Sequence, residues 1–469
     1  MLPDNVLVEI FDFYRNNHEY TRHTVWKWHL LVHVCQRWRQ IVFVSPHRLN
    51  LQILCTHKTP ARKNLGIWPA FPIVIDYRYS WRGVTPNNKD NVIAALEHPS
   101  RICYVNLNVT GPQLGNMAMV MREPFPMLTR LDISLTGANA SVLPDGFLGG
   151  SSPCLQEVYL HGIPFPELPT LLSSTSDLVT LALSIIPAAG YISPEAMVVV
   201  LAALPRLETF IIGFQSATLR PSQIHPPPLT RIILPALTTF QFQGACEYLE
   251  NLVAHIDSPQ LDRIYMNYLS INQLVDVQVA QLSKFFDRSV GPKLTLFKHV
   301  RVSFFRGFIS FAVHRHANHP SSDWLPTRTI ISCEGIDRYV SNAAHWQVFS
   351  QFSAALSNVA HLKLEARLEE DRQIENTDDI EWLHLLHQFP TVQTLHVSLE
   401  LAGHVALALE DITGEVAAVL PSLDLIYLEG QPVSSVGKFV AARRLSDRPV
   451  IVVDTKTEFS KRLESYASK

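Results

Sequence analysis

The side chains with the clearest potential for chemistry are two groups of closely spaced histidines. His384 and His387 stand three residues apart in a segment of helical spacing, so both imidazoles could reach one metal ion from one helix face. His314, His316 and His319 form the second group. Protein zinc sites use three or four ligands, and neither group has a cysteine or a further ligand beside it. We therefore interpret both groups as surface histidines and predict no metal site.

The sequence lacks the motifs by which common enzyme classes bind phosphates, metals or acyl groups. The GxGxxG, P-loop, HExxH and nucleophile-elbow patterns are all missing. Gly149-Gly150-Ser151 is better explained as a turn than as an oxyanion loop. The six cysteines lie at least twenty residues apart, which excludes zinc-ligand and redox pairs, and we expect them to be buried in a reducing compartment. We predict a chain without catalytic residues and without a cofactor.

Composition indicates a globular protein with a large core. The chain has 469 residues, of which 47% are hydrophobic and only 17% charged, and its formal net charge is −3. Near-neutral charge gives no general argument for binding nucleic acid or an anionic membrane. The longest apolar block, residues 196–204, is too short to span a bilayer, and Pro3, Asp4 and Glu9 interrupt any signal peptide. We expect a soluble cytoplasmic or nuclear protein with no membrane partner.

Two segments have an unusual local charge. Residues 288–322 contain no acidic side chain but six basic ones, and Phe297, Phe304, Phe305 and Phe308 interleave with them. This pattern could form a nucleic-acid platform, although a strand pair with solvated basic edges is the commoner explanation and nucleic acid is not expected. Residues 365–381 contain eight acidic side chains and two arginines. We interpret that segment as a solvated loop, with contact to a basic partner as the alternative.

The first fifty residues predict a helical hairpin. Leu2-Pro3 precedes apolar residues at helical spacing, and proline in a first helical turn costs no hydrogen bond. A second amphipathic segment runs from Trp28 to Val42, after a polar loop at residues 15–27. A helical pair of this size buries too little surface to be stable alone. Its apolar faces therefore need a partner.

One apolar signature recurs through most of the remaining chain. It reads apolar-x-x-apolar-x-apolar, and its copies start 23 to 33 residues apart where the register is clear. Segments of helical spacing lie between copies, such as residues 194–204, which follow an N-cap at Ser193. One strand and one helix in this period are typical of leucine-rich repeats, whose units must stack to bury their apolar faces. The ten copies begin at Ile102, Leu128, Leu155, Leu178, Leu207, Leu237, Leu261, Val359, Val392 and Leu423.

The N-terminal residues resemble an F-box. The motif runs Leu-Pro, then Ile, then Val-Cys and Trp, and the chain matches it closely at residues 2–6 and 33–41, although family members usually carry residues before Leu-Pro. The similarity is to a large fungal F-box family and continues at residues 71–77, 143–150, 190–197, 234–238 and 439–443. The resemblance implies binding to the Skp-type adaptor of SCF-type cullin-RING ubiquitin ligases. By match to the pattern, the adaptor-binding residues would be Leu2, Pro3, Ile10, Val34, Cys35 and Trp38.

Together these patterns predict an α/β protein: a helical F-box followed by an irregular leucine-rich-repeat-like solenoid of parallel strands alternating with helices. We place the F-box at residues 1–50, a linker and N-terminal cap at 51–100, the solenoid at 101–430, and a C-terminal cap and tail at 431–469. The register is unclear between residues 267 and 358. In such a solenoid, residues between the apolar strand positions would point to the concave face.

The concave face is the predicted surface for a protein client, because it would mix polar side chains with tyrosines that anchor interfaces. The candidates for client binding are Tyr159, Gln241, Arg263, Tyr265, His396 and Tyr427, with Glu157, Gln243, Lys363 and Glu429 beside them. The predicted function is substrate receptor of the ligase. The alternatives are an interaction scaffold not linked to ubiquitination, and an enzyme hidden in the solenoid, which a polar pocket with perturbed ionisation would favour.

Overall fold

The computed structural model describes most of the chain, and the statements below concern the described residues. These are 2–16, 28–46, 48–59, 61–78, 84–137, 141–216, 231–268, 280–289, 298–305, 308–314, 329–334, 358–366, 382–410, 419–429 and 436–454. The chain divides into two compact units. Unit 1 comprises Met1–Ile192 with Val199–Leu207, and unit 2 comprises Ser193–Val198 with Glu208–Lys469. We describe each unit by itself.

Unit 1 begins with the predicted helical hairpin, which consists of three helices. These are α1 (Asp4–Asn16), α2 (Trp28–Val34) and α3 (Gln36–Val44). The carbonyl of Pro3 accepts a hydrogen bond of 3.1 Å from Leu7 N, so the Leu-Pro pair lies at the first turn of α1, as its sequence predicts. Cys35 caps α3, and its Sγ accepts from Trp38 N at 3.4 Å. Helix α1 contacts both α2 and α3.

The sheet of unit 1 is entirely parallel among the described strands, and its strands follow the order of the chain. A parallel connection needs a crossover of a dozen or more residues, which here contains helices or helical turns. The strands are β1 (Ile53–Cys55), β2 (Ile73–Asp76), β3 (Ile102–Val109), β4 (Arg130–Leu135), β5 (Glu157–His161) and β6 (Thr180–Ile186). The helices are α4 (Ala61–Ile67), α5 (Pro86–Leu96), α6 (Gly111–Val120) and α7 (Leu168–Leu172). Helix α8 (Pro194–Ala202) is divided between the units.

The connection from β4 to β5 contains the Gly149-Gly150 pair, which forms a turn as the sequence predicts. A 3-10 turn spans Phe147–Gly150, and Gly149 has a φ of +63°. A Cβ at Gly149 would lie 2.6 Å from the backbone nitrogen of Pro124, a distance that no side chain tolerates. Glycine is therefore required at residue 149 both by the left-handed backbone and by the close approach of Pro124.

The strands of unit 2 are mostly parallel as well. Its strands are β7 (Thr209–Phe214), β9 (Thr239–Gly244), β11 (Arg263–Tyr268), β12 (His299–Phe305), β13 (Phe308–His314), β14 (Thr329–Glu334), β15 (His361–Ala366), β16 (Thr394–Val397), β17 (Leu425–Leu428) and β18 (Ile451–Asp454). Strands β8 (Ile232–Ile233) and β10 (Ile256–Asp257) form a separate parallel pair. The helices are α9 (Cys246–Ala254), α10 (Ala280–Ser289), α11 (Trp382–His387), α12 (Leu399–Glu410) and α13 (Gly437–Leu445).

The spatial order in this sheet is β7-β9-β11-β14-β13-β12-β15-β16-β17-β18. Only β13 runs against its neighbours: it pairs antiparallel with β12 and with β14. Two residues separate β12 from β13 along the chain, and so short a connection permits only an antiparallel pair. The sequence analysis predicts a strand pair for this basic segment, and the structure confirms it. An entirely parallel sheet was the wrong expectation for this part of the chain.

The recurring signature marks the core of both units. All three apolar positions in each of its ten copies are buried, and the second and third lie in strands. Because side chains alternate along a strand, the residues between them lie on the opposite face. The mixed α/β architecture with mostly parallel strands is thereby confirmed. Among the described helices, none is long and apolar enough to cross a membrane.

Candidate interaction surfaces

Helix α1 presents two apolar faces, of which only one is covered. Leu7, Val8 and Phe11 are buried within the hairpin. A second set of large apolar side chains, which we call the exposed apolar set, is open to solvent on α1, on α2 and on the residue before α1. It consists of Leu2, Val6, Ile10, Phe13, Leu30 and Val34. A single exposed apolar residue is ordinary, but six within one small hairpin indicate a surface for a protein partner.

The residues predicted to bind the adaptor lie in or next to this set. Leu2 is 52% exposed, Ile10 is 44% exposed and Val34 is 59% exposed. Pro3 and Cys35 are also exposed, at the starts of α1 and α3. Arg37 donates hydrogen bonds to the Leu2 carbonyl at 2.5 Å and to Asp4 Oδ1 at 2.6 Å, so the start of α1 is held against α3. Their role in binding stays a prediction.

Trp38, the tryptophan of the F-box pattern, is only partly buried. Its ring packs against Phe11 at a centroid distance of 4.7 Å, but the side chain remains partly exposed at the edge of the α1–α3 contact. Trp28 is instead the tryptophan that is buried within the hairpin. The expectation of buried cysteines is also wrong for Cys35 and Cys154, which are exposed, whereas Cys55 and Cys246 are buried. Cys35 is exposed because it lies at the corner between α2 and α3.

Trp28 anchors the hairpin to the segment that follows it. Its ring packs edge-on against Trp68 at 5.1 Å and Phe71 at 5.6 Å, and Phe43 lies 6.4 Å away. Its indole nitrogen donates to the Gln52 carbonyl at 3.2 Å. The hairpin therefore finds part of its required partner surface within unit 1. Sequence analysis missed this cluster, although the closely spaced aromatics at residues 68 and 71 were its visible signal.

The outward face of the unit 1 sheet carries a fixed polar network around Arg130. In register across β3, β4 and β5, Asn106, Asp132 and Tyr159 form one row, next to Arg130 and Glu157. Arg130 donates to Asp132 Oδ2 at 3.1 Å and to Glu157, and its guanidinium lies 4.4 Å above the Tyr159 ring. Burial raises the pKa of Tyr159, and the neighbouring Glu157 raises it further. Both carboxylates thus compensate the one arginine.

The predicted client residues of β9 and β11 also lie on the outward face. Gln241 is opposite Tyr265, and Gln243 is opposite Asn267. Gln241 and Arg263 are exposed, while Tyr265 is half-buried. The sequence pattern therefore placed these side chains correctly with respect to the core. Whether they contact a client stays a prediction.

The outward face of β12, β15, β16 and β17 carries a second polar row. Arg301, Lys363, His396 and Tyr427 are direct register neighbours across these four strands. We call these four residues the basic row. Because neighbouring strands lie about 4.8 Å apart, the basic row spans about 14 Å. It contains His396 and Tyr427, which the sequence analysis selects as client-binding candidates.

Glu365 lies buried beside the basic row and holds its cations in place. Its carboxylate accepts from Lys363 Nζ at 2.9 Å and from Ser303 Oγ at 2.8 Å, with Arg301 Nε at 3.9 Å. Burial opposes its charge, but the hydrogen bonds from Lys363 and Ser303 and the charge of Arg301 lower the pKa of Glu365 to about 2. This network joins residues more than sixty positions apart, which sequence spacing alone does not reveal.

His396, the third residue of the basic row, is a neutral side chain. Burial and the charge of Lys363 lower its pKa to about 4. Its Nε2 lies 3.6 Å from Glu429 Oε1, and its ring centroid is 5.8 Å from that of Tyr427. Its Nδ1 is buried and makes no hydrogen bond. The imidazole is therefore able to accept or donate one further bond at neutral pH.

The shifted pKa values of Glu365 and His396 can be compared with those that an enzyme in the solenoid would need. General acid–base catalysis works best with a group whose pKa lies near the working pH. Glu365 and His396 are shifted away from neutrality, to about 2 and about 4. Such shifts suit a fixed carboxylate with its donors better than a proton-transfer site.

The histidine groups give no metal centre within the described part of the chain. There, no set of three or more histidine, cysteine, aspartate or glutamate residues could hold a metal ion. His387 is exposed on α11. His316 and His319, most of the acidic segment 365–381, and the side chains of His314 and His384 lie outside what the structure describes.

We expect Glu365→Gln to lower the free energy of unfolding at pH 7 by about 2–3 kcal/mol, since one unit of pKa shift corresponds to roughly 1.4 kcal/mol. The folded-state pKa of Glu365 is depressed, so its contribution is present above about pH 4.5 and is lost as the pH falls toward about 2. Urea unfolding at several pH values checks this. Glu429→Gln, at a partly exposed position, is the control. A loss for Glu365→Gln that is equal at pH 7 and pH 3 would contradict the ionic explanation.

No protein-family model matches the chain, and no curated protein matches it either.

Proposed function

We propose that the chain is the substrate-receptor (F-box) subunit of an SCF-type cullin-RING ubiquitin ligase. The hairpin at residues 1–50 would be the F-box that binds the Skp-type adaptor, and the strand-and-helix repeats would form a leucine-rich-repeat-like solenoid that presents a protein client. The ligase acts in the cytoplasm or nucleus, which would be the compartment of this chain. Residues 51–100 would link and cap the solenoid, and residues 431–469 would close it.

The observation that carries the proposal is the exposed apolar set. The core of the hairpin is already filled by Leu7, Phe11 and Trp28, and the exposed apolar set on α1 and α2 and just before α1 is left in water. At about 25 cal/mol per Å² of buried apolar surface, covering them with a partner is strongly favourable. The positions Leu2, Ile10 and Val34 match the F-box pattern, which gives the partner its identity as a Skp-type adaptor.

The polar outward faces support the client-binding half of the proposal. Both carry tyrosines and arginines, the residue types that most often dominate binding energy at protein interfaces. Catalysis would belong to the bound E2 and RING subunits. The contribution of this chain would be proximity, because it raises the effective concentration of client lysines near the charged ubiquitin.

The test is co-purification of the intact chain with a purified Skp-type adaptor, followed by isothermal titration calorimetry. We expect a one-to-one complex. Assembly with cullin, RING protein, E1, E2 and ubiquitin then checks whether the complex supports polyubiquitin formation. An adaptor that does not bind the folded chain would contradict the proposal. Binding without polyubiquitin formation on a bound client would favour the scaffold alternative.

A further inference from the structure

The two outward faces differ in how their cations are compensated. On unit 1, the single guanidinium of Arg130 contacts both Asp132 and Glu157. On unit 2, Arg301 and Lys363 share the one carboxylate of Glu365, which is buried beneath them. The β12–β15 part of the basic row therefore presents more positive than negative charge to solvent.

Neighbouring residues strengthen this imbalance. Lys298, exposed just before β12, is close enough to lower the pKa of His361, next to the burial of that imidazole. The His361 ring stacks on the His299 ring at a centroid distance of 4.3 Å, on the same two strands as Arg301 and Lys363. The segment from residue 288 to 322, which supplies β12 and β13, contains no acidic residue at all. Glu429, a partly exposed carboxylate, lies at the far end of the row, next to His396.

The side chains of the row are positioned to donate hydrogen bonds. Lys363 is held at 2.9 Å by Glu365, which fixes its direction before any partner arrives. Arg301 lies 3.9 Å from the same carboxylate, beyond hydrogen-bond range, so its guanidinium can turn to a second acceptor. His396 and Tyr427 continue the row on the next two strands, and Tyr427 adds a phenol to it. Preorganised donors bind carboxylates with little further loss of side-chain entropy.

We propose that the basic row binds an acidic segment of a protein partner, whose aspartate or glutamate side chains meet Arg301 and Lys363. This inference rests on the proposed function in that the acidic segment would belong to the client. It names the chemical class of the client: an extended stretch rich in carboxylates, laid across β12 to β17. Binding weakens with added salt, because partly exposed charges are screened over about 10 Å at 0.1 M ionic strength.

The test is fluorescence anisotropy of the full chain with a fluorescein-labelled decapeptide of alternating glutamate and serine at 50 mM salt. We expect saturable binding, weaker at 300 mM salt and absent for the matching lysine–serine peptide. Arg301→Gln should weaken binding about fivefold, the loss expected for one partly screened charge contact. Arg444→Gln removes the same charge from an exposed position on α13 and should leave binding unchanged.

A second variant separates recognition from folding. Glu429→Gln removes the carboxylate at the end of the row and should tighten binding of the glutamate peptide about threefold, which no folding defect would produce. No binding at 50 mM salt, or equal binding by the unchanged chain and Arg301→Gln, would overturn the inference. The adaptor is absent from this assay. Failure here with intact adaptor binding would therefore reject only the acidic client, and failure of adaptor binding alone would reject only the proposed function.

Discussion

The double variant Ile10→Glu/Val34→Glu is expected to bind a Skp-type adaptor at least about 100-fold more weakly than the unchanged chain. Each of these side chains would be buried by the adaptor, and burying an aliphatic side chain is worth about 1.5–3 kcal/mol. A buried, unpaired carboxylate adds a further penalty. Titration calorimetry measures the affinity. Both residues already face solvent, so the melting temperature should not fall.

The matched control is Met119→Glu on α6, because this side chain is 58% exposed in the same unit and lies outside the hairpin. It should leave adaptor binding unchanged. Circular dichroism of all variants verifies that each is folded. If the double variant retains its affinity while folded, the exposed apolar set is not the adaptor surface, and the F-box interpretation loses its main structural support.

Trp28→Ala should lower the free energy of unfolding by about 3–5 kcal/mol, the cost typical of truncating a buried tryptophan. Trp28 is 3% exposed, contacts Trp68 and Phe71, and donates a hydrogen bond to the Gln52 carbonyl. Its removal leaves a cavity between the hairpin and the linker segment and leaves that carbonyl without this donor. Chemical denaturation followed by tryptophan fluorescence and far-ultraviolet circular dichroism measures the loss.

Trp38→Ala is the matched comparison for Trp28→Ala. The Trp38 ring belongs to the F-box pattern, but it is only partly covered and packs on Phe11. We expect Trp38→Ala to lower the free energy of unfolding by roughly half as much as Trp28→Ala does. We also expect it to weaken adaptor binding by more than this loss of stability would explain. Equal destabilisation by both substitutions would show that the aromatic cluster does not anchor the hairpin as its contacts indicate.

The architecture was largely predictable because its signals are local. An apolar residue at every second position of a strand, repeated at a regular interval, leaves few alternatives to a buried strand. Val105 and Leu107, or Leu395 and Val397, are buried for this reason, and their neighbours Asn106 and His396 face outward. Connections that are long enough to contain a helix then allow consecutive strands to run parallel.

The candidate surfaces were predictable only in part. Leu2, Ile10 and Val34 were selected by motif, yet motif spacing does not distinguish the covered face of α1 from the open one. Val6 and Leu7 are adjacent in one amphipathic pattern, but only Leu7 is buried. A helix with a wide apolar arc offers two such faces, and the packing of α2 and α3 chooses between them.

The sequence by itself determined that the ten signature copies form strands, which of their side chains face the core, and which residues form the hairpin, because these depend on periods of two and 3.6 residues. Tertiary structure alone decided that Trp28 rather than Trp38 is buried, and that Glu365 meets Ser303, Arg301 and Lys363. The burial of Trp28 depends on how the hairpin packs against Trp68 and Phe71, and the Glu365 contacts depend on the register between strands that are distant in the chain. Register is set by the packing of the whole sheet, so no short segment of sequence contains it.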